Sequence, residues 1–279
     1  MTSMTTSDAP RERRARPQAV LSVQRREQLN AHMVRIVAGG PGMAQFRPND
    51  FTDKYAKLIF VDPGLGLTPP YDLAELRDSL PPEQRPVTRT YTVRSVDPDA
   101  QRLTLDFVVH GEEGLAAPWA ARAEPGDVIT LSGAGGAYRP DPDMDWHLFA
   151  GDESAMPAIS SALEALGREA RGIAYLETAD TGHYLDAAVP AGVDVVWLDR
   201  PEPGTQPRLL ADAIGAGPLP TGRVGVFAHG ERESMKAVRA ALRDRLSEGD
   251  ELSLSGYWAS GRTEDRFQAE KREPIGHIG

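Results

Sequence analysis

From His32 onward the first half of the chain alternates apolar and polar residues over short runs. HMVRIVAGG, YAKLIFVDP, TRTYTVRSVD, RLTLDFVVHG and DVITLSGAGG are rich in Val, Ile, Leu, Thr and Tyr, with Gly, Pro and Asp between them. This pattern predicts short strands joined by antiparallel turns, in a small barrel or sandwich. Helices are predicted at DLAELRDSL and GLAAPWAARA. The stretch Arg139 to Asp145, RPDPDMD, has no apolar period and reads as a linker. Beyond it the rhythm changes. DWHLFAGD, GIAYLETA, DVVWLDR, RVGVFAHG and DELSLSGYW read as strands, and SAMPAISSALEAL, PRLLADAIGA and ERESMKAVRAALRDRLSEG as helices between them. In the last helix Met235, Val238, Leu242 and Leu246 recur at helical spacing, and Gly249 stands where a C-terminal cap belongs.

Alternating strand and helix implies a parallel, wound sheet. The ligand site of such a sheet lies beyond the carboxyl ends of its strands, where a neighbouring barrel can present a second cofactor. Residues 1–28 are polar, charged and poor in large apolar side chains, and read as a mobile tail or a fraying first helix. The expected division is therefore a flexible segment 1–28, a β domain 29–140 and an α/β domain 141–279.

Composition narrows the chemistry. The 279 residues are 40% hydrophobic and 26% charged, which suits a globular protein of two domains. There is no cysteine, so disulfides, Cys-ligated zinc and Cys-ligated iron–sulfur clusters are excluded, and a cytoplasmic location is expected. A redox role would need an organic cofactor. No apolar run reaches the ~18 residues of a membrane span, and the N-terminus has no apolar secretory core. A formal charge of −10 argues against nucleic acid as partner. Only four lysines occur, so arginine supplies most of the positive charge and favours fork-like binding of phosphate and carboxylate.

Three stretches carry candidate chemistry. In VTRTYTVR, Arg89 and Tyr91 share one strand face and Thr92 takes the other. That arrangement suits a pyrophosphate clamp beside a stacked heterocycle, and equally a plain strand edge. In HGEEGLAAPWA a strand ends at His110, Gly114 bounds a turn, and Ala116 and Ala117 begin a helix whose free N–H groups suit a phosphate; a plain strand–turn–helix with Trp119 in the core reads as well. In AGDESAMPAI a strand ends at Gly151 and a helix follows, with Asp152 or Ser154 as cap and Pro157 in its first turn. GxGxxG is absent there.

Together these stretches resemble the siderophore-interacting protein family, a branch of the ferredoxin-reductase-like flavoproteins. RTYT (Arg89 to Thr92) matches the family's R-x-Y-T strand. HGEEGLAAPWA resembles H-G-x-x-G-P-A-x-x-W-A, departing at Leu115, and AGDESAMPAI resembles A-G-D-E-T-A-x-P-A-I. HGERESMKAVRAAL matches a later G-E turn and helix, and GYWASG resembles a closing G-Y-W-R-x-G strand, departing at Ala259. The resemblance runs from about His32 to Asp265.

It implies a six-stranded antiparallel FAD-binding barrel followed by a parallel-sheet nicotinamide-binding domain. The implied activity is a ferric-siderophore reductase that passes electrons from NADPH or NADH through FAD to Fe(III) and releases Fe(II). A ferredoxin as donor stays open. Rival readings are a flavin reductase for another acceptor and a non-catalytic ferric-chelate binding protein.

By resemblance Arg89 contacts the FAD pyrophosphate, Tyr91 packs on the isoalloxazine and Thr92 bonds its polar edge. His110, Gly114, Ala116 and Ala117 lie near the flavin phosphates, His110 equally as a turn histidine. Gly151, Asp152, Glu153 and Ser154 line the nicotinamide site, and Tyr257 joins the cofactor-binding set. Asp152 is expected to cap the helix or meet a sugar hydroxyl. Arg200 either meets a 2′-phosphate, which favours NADPH, or is solvated before Pro201. Lys57, Arg139 and Arg262 are expected on the anionic substrate. The family's G-P-R-G reads GAGG here (Gly133 to Gly136), so Arg139 stands in or the substrate is less anionic. No side-chain acid, base, nucleophile or metal ligand is expected, because the flavin carries the chemistry.

Overall fold

The computed structural model describes residues 17–109, 114–179, 182–200 and 207–278. Its first half is a closed six-stranded antiparallel barrel in the order β1-β2-β5-β4-β3-β6. The strands are β1 (Gln18–Asn30), β2 (Met33–Gly39), β3 (Tyr55–Phe60), β4 (Val87–Asp97), β5 (Arg102–Val108) and β6 (Val128–Gly135). Alternate residues point inward. Leu21, Ile36, Leu58, Leu103, Leu105, Phe107 and Leu131 are almost wholly buried in one core. Each such side chain contributes about 1.5–3 kcal/mol over its exposed state.

The strand β1 corrects one expectation. Residues 18–28, read from the sequence as tail, form the strand that closes the barrel, pairing with β2 on one side and with β6 on the other. Ala19, Leu21 and Val23 are buried at the period of a strand, while Arg25 to Gln28 run exposed along the rim. The polar second half hides the alternation of the first. Residues 1–16 lie outside the described set.

The second half is a five-stranded parallel sheet in the order β11-β10-β7-β8-β9. Its strands are β7 (Trp146–Gly151), β8 (Arg171–Thr178), β9 (Gly192–Asp199), β10 (Val224–Glu231) and β11 (Glu251–Trp258). The helices of the chain are α1 (Leu73–Ser79), α2 (Ala116–Arg122), α3 (Met156–Ala165), α4 (Leu209–Ala216), α5 (Arg232–Leu242) and α6 (Glu264–Glu270). Helix α3 packs on the face turned toward the barrel, with Met33 and Tyr138 of the barrel side in the same cluster, while α4 and α5 cover the other face. Helix α5 stops at Leu242, six residues before the expected end; Gly249, at φ 97°, instead turns the chain into β11.

The two halves are joined by charge as well as by packing. Arg94 of β4 is 7% exposed and forks onto both oxygens of Glu164 in α3, at 2.9 and 2.6 Å. Ser161 of α3 donates to the Arg94 carbonyl at 2.9 Å. Arg35 grips Asp106 at 2.7 Å through two nitrogens and reaches Asp186 at 2.5 Å. Bidentate pairs of this kind fix orientation as well as distance. No helix of the described residues is long and apolar enough to cross a membrane.

Candidate functional site

Strand β4 carries the R-x-Y-T segment along the edge of the barrel. Tyr91 packs on Phe107 at 4.3 Å between ring centroids, and Phe107 and Phe60 both meet Trp119 of α2. Trp119 is thus core filling. Burial, reinforced by Glu264, holds the Tyr91 hydroxyl well above its usual range. Arg89 forks onto the two oxygens of Asp265 in α6 at 3.1 and 3.2 Å. The Asp265 side chain is 74% exposed, so this pair is the weak, screened kind.

Thr92 faces away from the barrel core and lies beside Tyr257 at the end of β11. Tyr257 is kept neutral chiefly by burial, with Asp53 adding to it. It meets the buried ring of His229 edge-on at 4.9 Å, and Tyr55 of β3 lies opposite Thr92 in the strand register. Barrel strand β4 and the carboxyl edge of the parallel sheet therefore meet at Thr92 and Tyr257.

At the start of α2, Gly114 has φ 86° with open space where a side chain would stand. Ala116 is buried, Ala117 is half-buried, and among the described residues no side chain caps this helix. His110 lies outside the described residues. These features fit a flavin dinucleotide. A phosphate can approach the α2 backbone, Arg89 is held by the exposed Asp265 carboxylate and by the Thr88 carbonyl, and an aromatic ring sits two residues along the same strand face.

At the carboxyl ends of β7 and β10 two glycines allow close packing. A side chain at Gly151 would lie 2.6 Å from the His229 carbonyl oxygen, and one at Gly230 would lie 2.8 Å from Asp152. Asp152 itself is 3% exposed. One of its oxygens accepts from the Ser154 N–H and hydroxyl at 2.9 and 2.5 Å. The other accepts from Glu231 N and Trp258 Nε1 at 2.9 and 2.8 Å. Burial still raises its pKa, the loss of water outweighing the donors. Asp152 thus ties the ends of β7, β10 and β11 together.

Beside it, Arg200 is buried between Glu153, at 3.1 Å, and Glu177, at 2.8 Å. It is neither solvated nor free to meet a phosphate. Glu153 also accepts from Ala179 N at 2.6 Å. Burial pushes Glu177 up to about 7, despite its bond to Arg200.

The residues expected on the substrate lie on three different segments. Lys57 is exposed on β3 opposite Thr90 and Ser132, and Arg139 is exposed after β6. Arg262 is drawn into a cluster that the sequence reading missed. Glu270 of α6, 1% exposed, takes Arg232 at 2.6 Å, Arg262 at 2.9 Å and Arg266 at 2.7 Å. These donors, Arg232 foremost, hold its carboxyl down to about 2. The acidic and basic residues of REPIG and TEDRFQAEK gave no apolar period by which α6 stands out. Among the described residues no His, Cys, Asp and Glu group is arranged to hold a metal ion.

The same fold of barrel and sheet is shared with phthalate dioxygenase reductase, at a TM-score of 0.58 and 13% identity over 89% of this chain and 70% of that one. Residues 22–138 match the siderophore-interacting FAD-binding domain, and residues 144–261 match the siderophore-interacting protein domain. An uncharacterized protein of Mycobacterium tuberculosis is 44% identical, covering 92% of this chain and 96% of the relative. The ferric vibriobactin reductase ViuB of Vibrio cholerae is 34% identical, covering 90% of this chain and 93% of the relative. Among solved structures, a siderophore utilization protein from T. fusca superposes with a TM-score of 0.76 at 34% identity, covering 88% of this chain and 94% of that one. The chain belongs to the siderophore-interacting protein family.

Proposed function

We propose that this protein is a ferric-siderophore reductase, drawing electrons from a nicotinamide nucleotide through FAD. One observation carries the reading most directly: Thr92, on the flavin-type strand β4, lies beside Tyr257 at the carboxyl edge of the parallel sheet, which brings the flavin strand and the nucleotide sheet together. The reductase name of the Vibrio relative, whose length this chain nearly spans, supports the same activity.

In this reading Arg89 grips the flavin pyrophosphate and Tyr91 packs on its ring. The Thr92–Tyr257 pair sets the ring's polar edge. His110, Gly114, Ala116 and Ala117 admit the phosphates. Gly151 and Ser154 leave room for the nucleotide, while Asp152 and Glu153 hold that turn in place. Bound FAD supplies the conversion of a hydride pair into single electrons, which Fe(III) requires. Lys57, Arg139 and Arg262 attract the anionic chelate. The three units of this account are the strand-closed barrel, the sheet domain and the C-terminal segment around α6. The protein acts in the cytoplasm, where the nucleotide is supplied.

A second donor is favoured by one observation. Arg200, at the ends of β8 and β9, is held between two glutamates and is not available to a nucleotide phosphate. A ferredoxin donor needs no such contact. Anaerobic stopped-flow reduction by NADH, NADPH and reduced ferredoxin separates the donors. Reoxidation by ferric siderophores tests the activity: the expected result is faster reoxidation than by oxygen alone. No acceleration points to another acceptor, and a colourless protein that stays apo with added FAD points to chelate binding without catalysis.

A further inference from the structure

Helix α6 leaves the sheet domain and reaches the barrel. It follows β11, and Gly261, at φ 69°, turns the chain toward it. Asp265 in its first turn lies 176 residues from Arg89 in sequence and takes two nitrogens of that guanidinium, at 3.1 and 3.2 Å. Glu264 stands close enough to Tyr91 to reinforce the rise in its hydroxyl pKa. Two successive carboxylates of α6 thus face the two β4 residues assigned to the flavin. Both lie beyond residue 261, where the match to the siderophore-interacting protein domain ends.

The helix is anchored from its far end. Phe267 is buried, and Glu270 gathers Arg232 of α5 together with Arg262 and Arg266. Beyond it Lys236 of α5 donates to the Ile275 carbonyl at 2.9 Å. Ile278 packs on β11, with its Cδ1 3.4 Å from where a side chain at Gly256 would begin. Asp265 adds little to this anchorage. Its side chain is 74% exposed, and among the described residues Arg89 is the only partner of its carboxylate. The pair matters more to Arg89, whose side chain is 16% exposed and otherwise has only the Thr88 carbonyl, at 3.0 Å.

A guanidinium fork takes a carboxylate or a phosphate in the same bidentate geometry. Asp265 therefore offers Arg89 the kind of contact that a phosphate of a dinucleotide offers. The two anions differ in charge and in what each leaves behind. A pyrophosphate brings two charges against one, and the Asp265 carboxylate, once displaced, turns to water that it already meets. An exposed pair of this kind is weak, so it yields to the stronger anion while still opposing it.

Resting on the assignment of Arg89 to the flavin pyrophosphate above, we propose that Asp265 is a built-in competitor for that clamp: α6 pairs Arg89 in the FAD-free protein, and FAD enters by exchanging its pyrophosphate for the Asp265 carboxylate. The contact is autoinhibitory. It keeps the half-buried guanidinium paired before the cofactor arrives and lowers the affinity with which FAD is then held. The anchorage through Glu270 and Phe267 keeps α6 in place while its first turn gives way.

The test is fluorescence titration of FAD into the full chain freed of flavin, at low ionic strength, where the pair is least screened. Asp265→Asn is expected to bind FAD about 2- to 10-fold tighter than the wild type, because it removes one weak ion pair and one repelling charge. The gain is expected to be larger with Arg89 present than in an Arg89→Ala background, as a double-mutant cycle reads. Calorimetry of the FAD-free variants reports that each keeps its fold, as the exposure of Asp265 leads us to expect. A gain below about twofold overturns the proposal. So does a loss of affinity, which would make Asp265 an orienting partner of Arg89. An equal gain in both backgrounds overturns it too, since Asp265 would then act only as a general repelling charge. Were Arg89→Ala to bind FAD as tightly as the wild type, the assignment of Arg89 to the pyrophosphate would itself fall, and this proposal with it.

Discussion

Asp152 offers the sharpest test, because its carboxylate stands in the segment that resembles a nucleotide-binding turn and is wholly engaged by the protein. In Asp152→Ala, Glu231 N and Trp258 Nε1 lose their acceptor, as do the Ser154 N–H and hydroxyl. The Ser154 groups lie nearer the surface and can turn to water. Trp258 is likewise half-buried, whereas Glu231 N is buried between β7, β10 and β11. A buried donor left unmet costs about 1–3 kcal/mol, so the variant is expected to lose about that much. Asp152→Asn is expected to lose about half as much or more, because its amide NH2 must face one of the two donor pairs. At about 2–4 °C per kcal/mol, the alanine variant should melt roughly 2–12 °C lower. Differential scanning calorimetry of the FAD-loaded protein measures this, with nucleotide affinity measured in parallel. Were the melting temperature to move by less than about 2 °C while nucleotide affinity dropped tenfold, Asp152 would be a ligand of the nucleotide and the structural role would be refuted.

Other predictions follow from the same geometry. Arg89→Ala should weaken FAD binding by a few kcal/mol, as for loss of a charged phosphate contact, while the apo protein melts nearly unchanged because its partner Asp265 is exposed; fluorescence titration of FAD and apo-protein calorimetry read the two arms. Leu21→Ala should cost about 2–5 kcal/mol in urea unfolding, because Leu21 is 2% exposed in the barrel core, whereas a tail residue would cost almost nothing. Glu177 is pushed up to about 7, above its unfolded value of 4.5, so the native state holds its proton more tightly than the unfolded chain. Stability should therefore decline as pH rises from about 4.5 to 7, by about 3 kcal/mol at most. Glu177→Gln should flatten that slope, as read by thermal melts at pH 5 and 8.

The strands and helices were legible wherever their side chains alternate between core and water. The runs at Tyr55, Thr88, Arg102 and Val128 became β3 to β6, and the strand–helix rhythm after Asp145 became the parallel sheet. The family motifs were equally local, since R-x-Y-T and AGDESAMPAI are contiguous segments whose chemistry can be read without their neighbours. Two elements escaped. Strand β1 shows its apolar period only at Ala19, Leu21 and Val23 before turning polar, and α6 is short and anchored by ion pairs.

What the tertiary structure alone decided is which side chains are already satisfied. By sequence Arg89, Arg200 and Arg262 are three cations awaiting anions; in the fold they meet Asp265, Glu153 with Glu177, and Glu270, the first two across long separations in the chain. Residue type and spacing determine the fold and the kind of cofactor, because both rest on local periodicity and short motifs. The free charge at a site depends on long-range pairing and burial, which arise only when distant segments of the chain come together.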